Sequence, residues 1–161
     1  MNAISAICLT CLAILSEPHS TESVHQSARQ IPVVGHADVL VVGGSLAAVS
    51  AAVKASECGS SVMLLAPRTY VGDDLGSTLA LWLDEDETPD GELTRQLFDK
   101  ARITTPLQVT RTLEAALLDA QVDFLLASDV TDVLRDERGE LSGVVIANRA
   151  GRQAIICRVI L

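Results

Sequence analysis

The chain contains 161 residues with a formal net charge of -9. The length limits the number of domains, and the charge limits the classes of binding partner. This length is typical of one domain, which buries a core but is short for an enzyme with separate nucleotide and substrate domains. The negative charge and the lack of clustered Lys and Arg exclude a nucleic-acid or anionic-membrane surface. Because 48% of the residues are apolar and 2% aromatic, the core must consist of Val, Leu, Ile and Ala, as in a buried parallel sheet.

The N-terminal segment differs in composition from the remainder of the chain. Residues 3–15 form an apolar run with the length of a signal-peptide core, too short to span a bilayer as a helix. We therefore expect residues 1–20 to be a signal peptide that exports the protein to the periplasm or the medium, with a cytoplasmic location as the alternative. Residues 21–36 are expected to be a linker and residues 37–161 the folded domain.

Composition and hydrophobic periodicity predict an α/β fold in which helices flank a parallel sheet. The predicted elements in chain order are a strand (39–42), a helix (45–57), a strand (62–65), a long loop (67–90), two helices (92–101 and 106–120) and a strand (123–128). They are followed by an inserted antiparallel β-meander of three strands, at residues 129–136, 140–149 and 152–161.

The turn between the first strand and the first helix, VVGGSLAA, carries the strongest functional signal. In a dinucleotide-binding βαβ unit, three glycines allow a tight turn, close approach to a pyrophosphate and close helix packing. Here Gly43, Ser45 and Ala48 hold those positions. Ala48 is an accepted replacement, whereas the Ser45 side chain either crowds the phosphates or donates to them. Because a helix N-terminus attracts anions, we expect Gly43, Gly44, Ser45 and Leu46 to bind the pyrophosphate.

The end of the second strand departs from the usual pattern. An Asp or Glu there would accept hydrogen bonds from ribose hydroxyls, but this sequence has Ala66, followed by Pro67 and Arg68. Either Arg68 suits the 2′-phosphate of NADP, or the ribose is held through backbone and water. We expect all three residues to lie near the adenosine ribose. An NADP-binding module and a degenerate Rossmann-like domain without a cofactor are the alternatives to a flavin site.

Four segments carry a resemblance to a known family: DVLVVGGSLAAVSAA, VMLLAPRTYVGDDL, TPLQVTRTLEAALLDAQVDFLLASDVTDVL and GVVIANRAGRQAIICRVIL. They resemble the FAD-dependent oxidoreductases of the glutathione-reductase-like Rossmann type. The resemblance implies FAD as cofactor, an unidentified small-molecule substrate, and hydride or electron transfer by the flavin. It implies that the backbone of Val130 contacts the adenine and that the loop 68–78 reaches toward the flavin ring. The family continues into an Ala-Thr-Gly-like turn and a substrate domain, so we expect an N-terminal part that is inactive alone.

Other patterns favour structural roles. The acidic run at 84–87 lacks the ligand spacing of a cation site, and the three histidines lack that of a metal site, so no metal is expected. Trp82 is expected to be a packing residue and not a stacking platform, and Cys58 and Cys157 to be small core residues. No Ser-His-Asp or Cys-His set supports hydrolysis, and no motif identifies a catalytic residue, the substrate or the oligomeric state.

Overall fold

A computed structural model describes residues 28–98 and 101–161, and Ile31–Leu161 form one compact unit. The expected signal peptide lies outside the described residues, as does the first part of the expected linker, so both stay predictions. None of the helices in the described part of the chain has the length and apolarity that crossing a membrane requires.

Among the described residues, six strands form one mixed sheet: β1 (Val33–Val42), β2 (Val62–Leu65), β3 (Asp123–Leu125), β4 (Asp129–Arg135), β5 (Leu141–Asn148) and β6 (Gly151–Ile160). Their order in the sheet is β3-β2-β1-β6-β5-β4. The first three strands and β6 are parallel, whereas β4 and β5 belong to antiparallel pairs. This sheet and its flanking helices confirm the predicted α/β class.

Strand β6 belongs to both parts of the sheet. It pairs antiparallel with β5 from Gly151 to Ile156 and parallel with β1 from Ala154 to Ile160. The predicted meander is therefore continuous with the central sheet. The length of β6 also explains why β1 begins at Val33, earlier than the periodicity predicted, because β6 gives these residues a partner strand.

Four helices occur in the described residues: α1 (Leu46–Glu57), α2 (Asp73–Gly76), α3 (Glu92–Phe98) and α4 (Pro106–Asp119). The predicted first helix is confirmed, with Ser45 as its N-cap. Gly59 follows its C-terminus with a φ of +86°, and its N–H donates to the carbonyl of Ser56 at 2.8 Å, which is typical of a glycine-terminated helix. The short helix α2 lies in the segment that was predicted to be a loop.

Apolar side chains pack on both faces of the sheet. Alternate residues of a strand face opposite sides, so Val41 joins one cluster and Leu40 the other. The first cluster includes Val49 of α1 and Leu113 of α4. Buried residues of the second cluster come from four strands: Leu40, Leu65, Val144, Ile146, Ile155 and Cys157. This packing fixes the ends of β1 and β2, from which the loops of the candidate site begin.

Two residues for which the sequence predicted packing roles lie at the surface. Trp82 is 60% exposed, because its segment runs along the outside of the unit and forms an isolated bridge with Ile103. Cys58 is exposed because it is the C-cap of α1. Cys157 is buried, as predicted, and this burial raises the pKa of its thiol.

Candidate nucleotide-binding site

The glycine turn, residues 43–45, joins β1 to α1 in a backbone conformation that requires glycine. Gly43 has a φ of +141°, which residues with a side chain rarely adopt, and its N–H donates to the carbonyl of Leu65 at 2.8 Å. A Cβ atom at Gly43 would lie 3.4 Å from the Cβ of Ala48. The first turn of α1 therefore packs directly against the glycine turn, and the small side chain of Ala48 permits this approach.

Ser45 caps the helix that follows the turn. Its backbone is extended, with φ -71° and ψ 164°, and its Oγ accepts from the N–H of Ala48 at 3.1 Å. This bond satisfies one of the free N–H groups of the first helical turn. It uses a lone pair of the hydroxyl and leaves the hydroxyl proton for another acceptor. Of the two roles considered from the sequence, this geometry favours donation to a phosphate.

The N-terminus of α1 holds an anion that the chain itself supplies. Both carboxylate oxygens of Asp74, in α2, accept from the backbone N–H of Leu46 at 3.1 Å. Since α1 has no acidic residue in its own first turn, this carboxylate lies at the positive end of an otherwise uncompensated helix dipole. The N–H of Gly72 donates to the carbonyl of Gly44 at 2.6 Å and holds the α2 segment on the turn. This helix N-terminus therefore binds an anionic oxygen ligand.

Ala66 lies directly beside the glycine turn. Its methyl group is fully buried, and a Cβ at Gly44 would approach the Cβ of Ala66 to 3.1 Å. The N–H of Ala66 donates to the carbonyl of Leu125 at 2.9 Å, and its carbonyl accepts from the N–H of Ser128 at 3.1 Å. The end of β2 is thus held between the glycine turn and the segment that follows β3.

The remaining predicted site residues lie next to this contact. Pro67 and Arg68 are exposed, and the carbonyl of Arg68 accepts from the N–H of Ala127 at 2.8 Å. Val130, in β4, pairs with Ile146 of β5. The structure therefore brings residues 66–68 against both the glycine turn and the segment that leads to Val130, whereas Val130 itself is held by the antiparallel part of the sheet.

Two surface depressions lie away from the glycine turn. A groove of about 1100 Å³ runs between α1, α3 and α4. The other depression, of about 430 Å³, lies beside β1 and β6 and includes Asp38, Ser61 and Arg158. The Ser61 hydroxyl donates to Asp38 at 2.7 Å and lowers the pKa of that carboxyl; the Ser61 backbone N–H and the Arg158 guanidinium act in the same direction.

In the described residues, no group of three or more potential metal ligands occurs.

Solved structures define the class of the fold. A flavocytochrome c3 fumarate reductase in its open conformation matches 80% of this chain and 33% of its own, with a TM-score of 0.59 and 15% identity. THI4 of Thermovibrio ammonificans matches 78% of this chain and 56% of its own, with a TM-score of 0.56 and 18% identity. At these identities the similarity shows the fold alone.

A third structure has the same fold. It is the 3-ketosteroid-Δ4-(5α)-dehydrogenase of Rhodococcus jostii RHA1 in complex with 4-androstene-3,17-dione, which matches 81% of this chain and 48% of its own, with a TM-score of 0.54 and 13% identity. The chain thus spans between 33% and 56% of the length of these three proteins. No curated protein sequence matches it significantly.

Residues 38–161 match the family described as FAD dependent oxidoreductase. The chain therefore belongs to that family. It is an FAD-binding domain with the Rossmann-like α/β fold, and FAD is its cofactor. The match covers the glycine turn, the end of β2 and the whole antiparallel part of the sheet, so membership of the FAD-dependent oxidoreductases and FAD as cofactor are confirmed.

The residues at the glycine turn fit the diphosphate of FAD. The turn has no side chain at Gly43 or Gly44 to keep phosphate oxygens away from the backbone, and the N–H of Leu46 already binds the two carboxylate oxygens of Asp74. A phosphate group offers the same kind of oxygen ligand with a larger negative charge. Residues of this chain thus provide a backbone N–H donor of the kind that binds phosphate oxygens at a helix N-terminus.

Proposed function

We propose that this chain is the FAD-binding part of a larger oxidoreductase of the glutathione-reductase-like type that acts on a small-molecule substrate. The observation that supports it most directly is the anion held at the N-terminus of α1, immediately after the glycine turn. A twelve-residue helix that begins at the carboxyl end of a parallel strand is where dinucleotide pyrophosphates bind in this fold class.

The pyrophosphate site in this proposal consists of Gly43, Gly44, Ser45 and Leu46. Gly43 and Gly44 give the phosphates access to the backbone, and Leu46 donates its N–H. The hydroxyl of Ser45 adds a donor, because its bond to Ala48 uses only a lone pair. These groups are held in place by the packing of α1 against β1 and β2.

The adenosine part lies along the end of β2 in this proposal. Ala66 has no side-chain acceptor, so the ribose is held through backbone groups and water near residues 66–68. The exposed Arg68 adds a positive charge near the adenosine ribose. The backbone of Val130 contacts the adenine, supported by the position of Val130 just after the segment that contacts Ala66.

The bound flavin supplies hydride or electron transfer in this proposal. The residues described above bind the cofactor, orient it and offset its negative charge. The substrate and the groups that contact it belong to the activity of the whole enzyme, which is proposed here only as an oxidoreduction of a small molecule.

Two glycine substitutions test the proposed site. Gly43→Ala places a methyl group in the turn at a φ of +141°, and we expect FAD affinity to fall about tenfold or more. Gly59→Ala is the matched control, because Gly59 also has a positive φ but a Cβ there would meet nothing within 4 Å, and it lies at the other end of α1. FAD binding would be titrated by flavin fluorescence in both variants, with circular dichroism to check the fold.

Three outcomes of this titration are informative. A loss of affinity in Gly43→Ala alone supports the site. An equal loss in both variants, or no loss in a folded Gly43→Ala protein, contradicts the assignment of the turn. Binding of NADP in preference to FAD by the wild type would favour the NADP-binding module, for which the lack of an acid at Ala66 and the exposed Arg68 are the specific observations.

A further inference from the structure

We infer that Asp74 is an internal competitor of the FAD pyrophosphate, and that its carboxylate must leave the N-terminus of α1 before the cofactor binds. The inference rests on the proposed function and adds a regulatory element to that site. It is based on one contact, the hydrogen bonds from the N–H of Leu46 to both carboxylate oxygens of Asp74 at 3.1 Å.

The contact is positioned by the backbone around it. Gly72 donates its N–H to the carbonyl of Gly44 at 2.6 Å, so the start of α2 is fixed to the glycine turn. Just after α2, the hydroxyl groups of Ser77 and Thr78 donate to the carbonyls of Asp73 and Asp74. The backbone of this segment is therefore held on both sides, and the Asp74 side chain reaches the helix N-terminus from a defined position.

The carboxylate and a phosphate cannot use this place together. The N–H of Leu46 points at one ligand position, and two anions there would repel each other at short distance. The helix dipole favours whichever anion is present, so the site exchanges one negative ligand for another. Asp74 therefore weakens FAD binding by the free energy of its own contact with the helix.

Removal of the carboxylate needs no change of the fold. Asp74 is exposed, so rotation of its side chain into solvent frees the N–H of Leu46 while the backbone bond between Gly72 and Gly44 stays in place. Asp73, by contrast, is partly buried, and its Oδ1 lies 3.6 Å from the place that a Cβ on Gly44 would take, but it accepts no hydrogen bond from the N–H of Leu46 in the described contacts. The two neighbouring acids carry the same charge, but only Asp74 occupies the helix N-terminus.

This difference defines the experiment. Asp74→Ala removes the competing ligand, and we expect FAD to bind about twofold to fivefold more tightly, the range of an exposed charge at a helix N-terminus. Asp74→Asn keeps the size of the side chain and an uncharged oxygen that still accepts from Leu46, so it should raise the FAD affinity less than Asp74→Ala does. Asp73→Asn removes the same charge one residue away but leaves the contact with Leu46 intact, so its gain should be smaller than that of Asp74→Ala.

A second readout separates competition from a purely structural role. Without FAD, Asp74→Ala loses an anion that stabilises α1, so the urea midpoint of the free protein should fall and the amide hydrogen of Leu46 should exchange faster. A structural role alone would lower both stability and FAD affinity. Competition predicts opposite directions: lower stability of the free protein and higher affinity for FAD.

The outcomes distinguish this inference from the proposed function. If the wild type binds FAD and Asp74→Ala binds it equally or more weakly, the inference is wrong while the proposed function stands. If Asp73→Asn raises the FAD affinity as much as Asp74→Ala does, the rise comes from the lower negative charge of the segment and not from the lost contact with Leu46. The inference is then also wrong. If neither wild type nor any variant binds FAD, both are overturned.

Discussion

Replacement of Gly72 by alanine is the most direct test of how the α2 segment is held in place. Gly72 has a φ of +84° and precedes α2 in a left-handed conformation. A Cβ there would overlap Cγ1 of Val109 and lie 3.1 Å from Cδ1 of Leu113. Both contacted residues are fully buried in α4, so they cannot rotate away without opening the core.

The expected loss of stability has two parts. An alanine in the left-handed region costs about 1 to 2 kcal/mol relative to a relaxed backbone. Forcing an extra methyl group against well-packed core side chains costs about 1 to 3 kcal/mol more. We therefore expect the free energy of unfolding of Gly72→Ala to fall by about 2 to 5 kcal/mol.

Gly91→Ala measures the cost of the left-handed backbone without the packing cost. Gly91 has nearly the same φ, +82°, but the nearest atom that a Cβ would meet there is Oγ1 of Thr94, at 4.0 Å. Both substitutions restrict the unfolded chain equally. The difference between their urea midpoints therefore measures the cost of forcing the methyl group of Gly72→Ala against α4. Equal losses in the two variants would refute the argument from the Val109 contact.

A double mutant adds an internal check on the same reasoning. Val109→Ala removes the methyl group that the new Cβ would overlap, so Gly72→Ala should cost less in that background than in the wild type. The coupling between the two positions should be about 0.5 to 3 kcal/mol. Additive losses would mean that the strain lies in the backbone of Gly72 and not in its contact with α4.

Two further substitutions test the residues on either side of β2, Ala66 after it and Ser61 before it. Because the Ala66 methyl group is fully buried against the glycine turn, Ala66→Glu forces a carboxylate into a packed position, and we expect the free energy of unfolding of the FAD-free protein to fall by about 1 to 3 kcal/mol; an unchanged urea midpoint would show that the new side chain reaches solvent or a partner at the end of β2. Ser61→Ala removes the main cause of the lowered pKa of Asp38, so that pKa should rise in an NMR titration. Because a lowered pKa stabilises the folded state above the unfolded value and this stability is lost as the pH falls through the folded value, the variant should lose less stability on acidification; an unchanged pKa would contradict this.

Local sequence patterns predicted the elements that depend on nearby residues. The second strand was placed at 62–65 as the structure has it, because a short apolar run between turn residues needs no distant partner to be recognised. The first helix was also correct, since Ser45 and Gly59 are strong capping signals. The start of β1 at Val33 was missed because its amino-terminal half is defined by pairing with β6, far away in the sequence.

The candidate site was predictable only in part for the same reason. The glycine turn follows from spacing within a few residues. The contact between Asp74 and Leu46 joins positions separated by 28 residues, and nothing in the intervening pattern specifies it. The only local pattern there is a glycine followed by two acids, Gly72, Asp73 and Asp74. It predicts a carboxylate at the N-terminus of α1 only when the segment is already known to lie there.

The double pairing of β6 has a consequence for how this domain folds. β1 is the central strand of the parallel sheet, yet one of its edges is completed only by β6, which is synthesised after all the other described strands. Contacts between such distant segments are slow to form because loop closure must precede them. Until then β1 presents an unpaired edge, which is open to association with other chains. The glycine turn thus lies at the end of a strand that is fixed late in folding, although its own residues are made early.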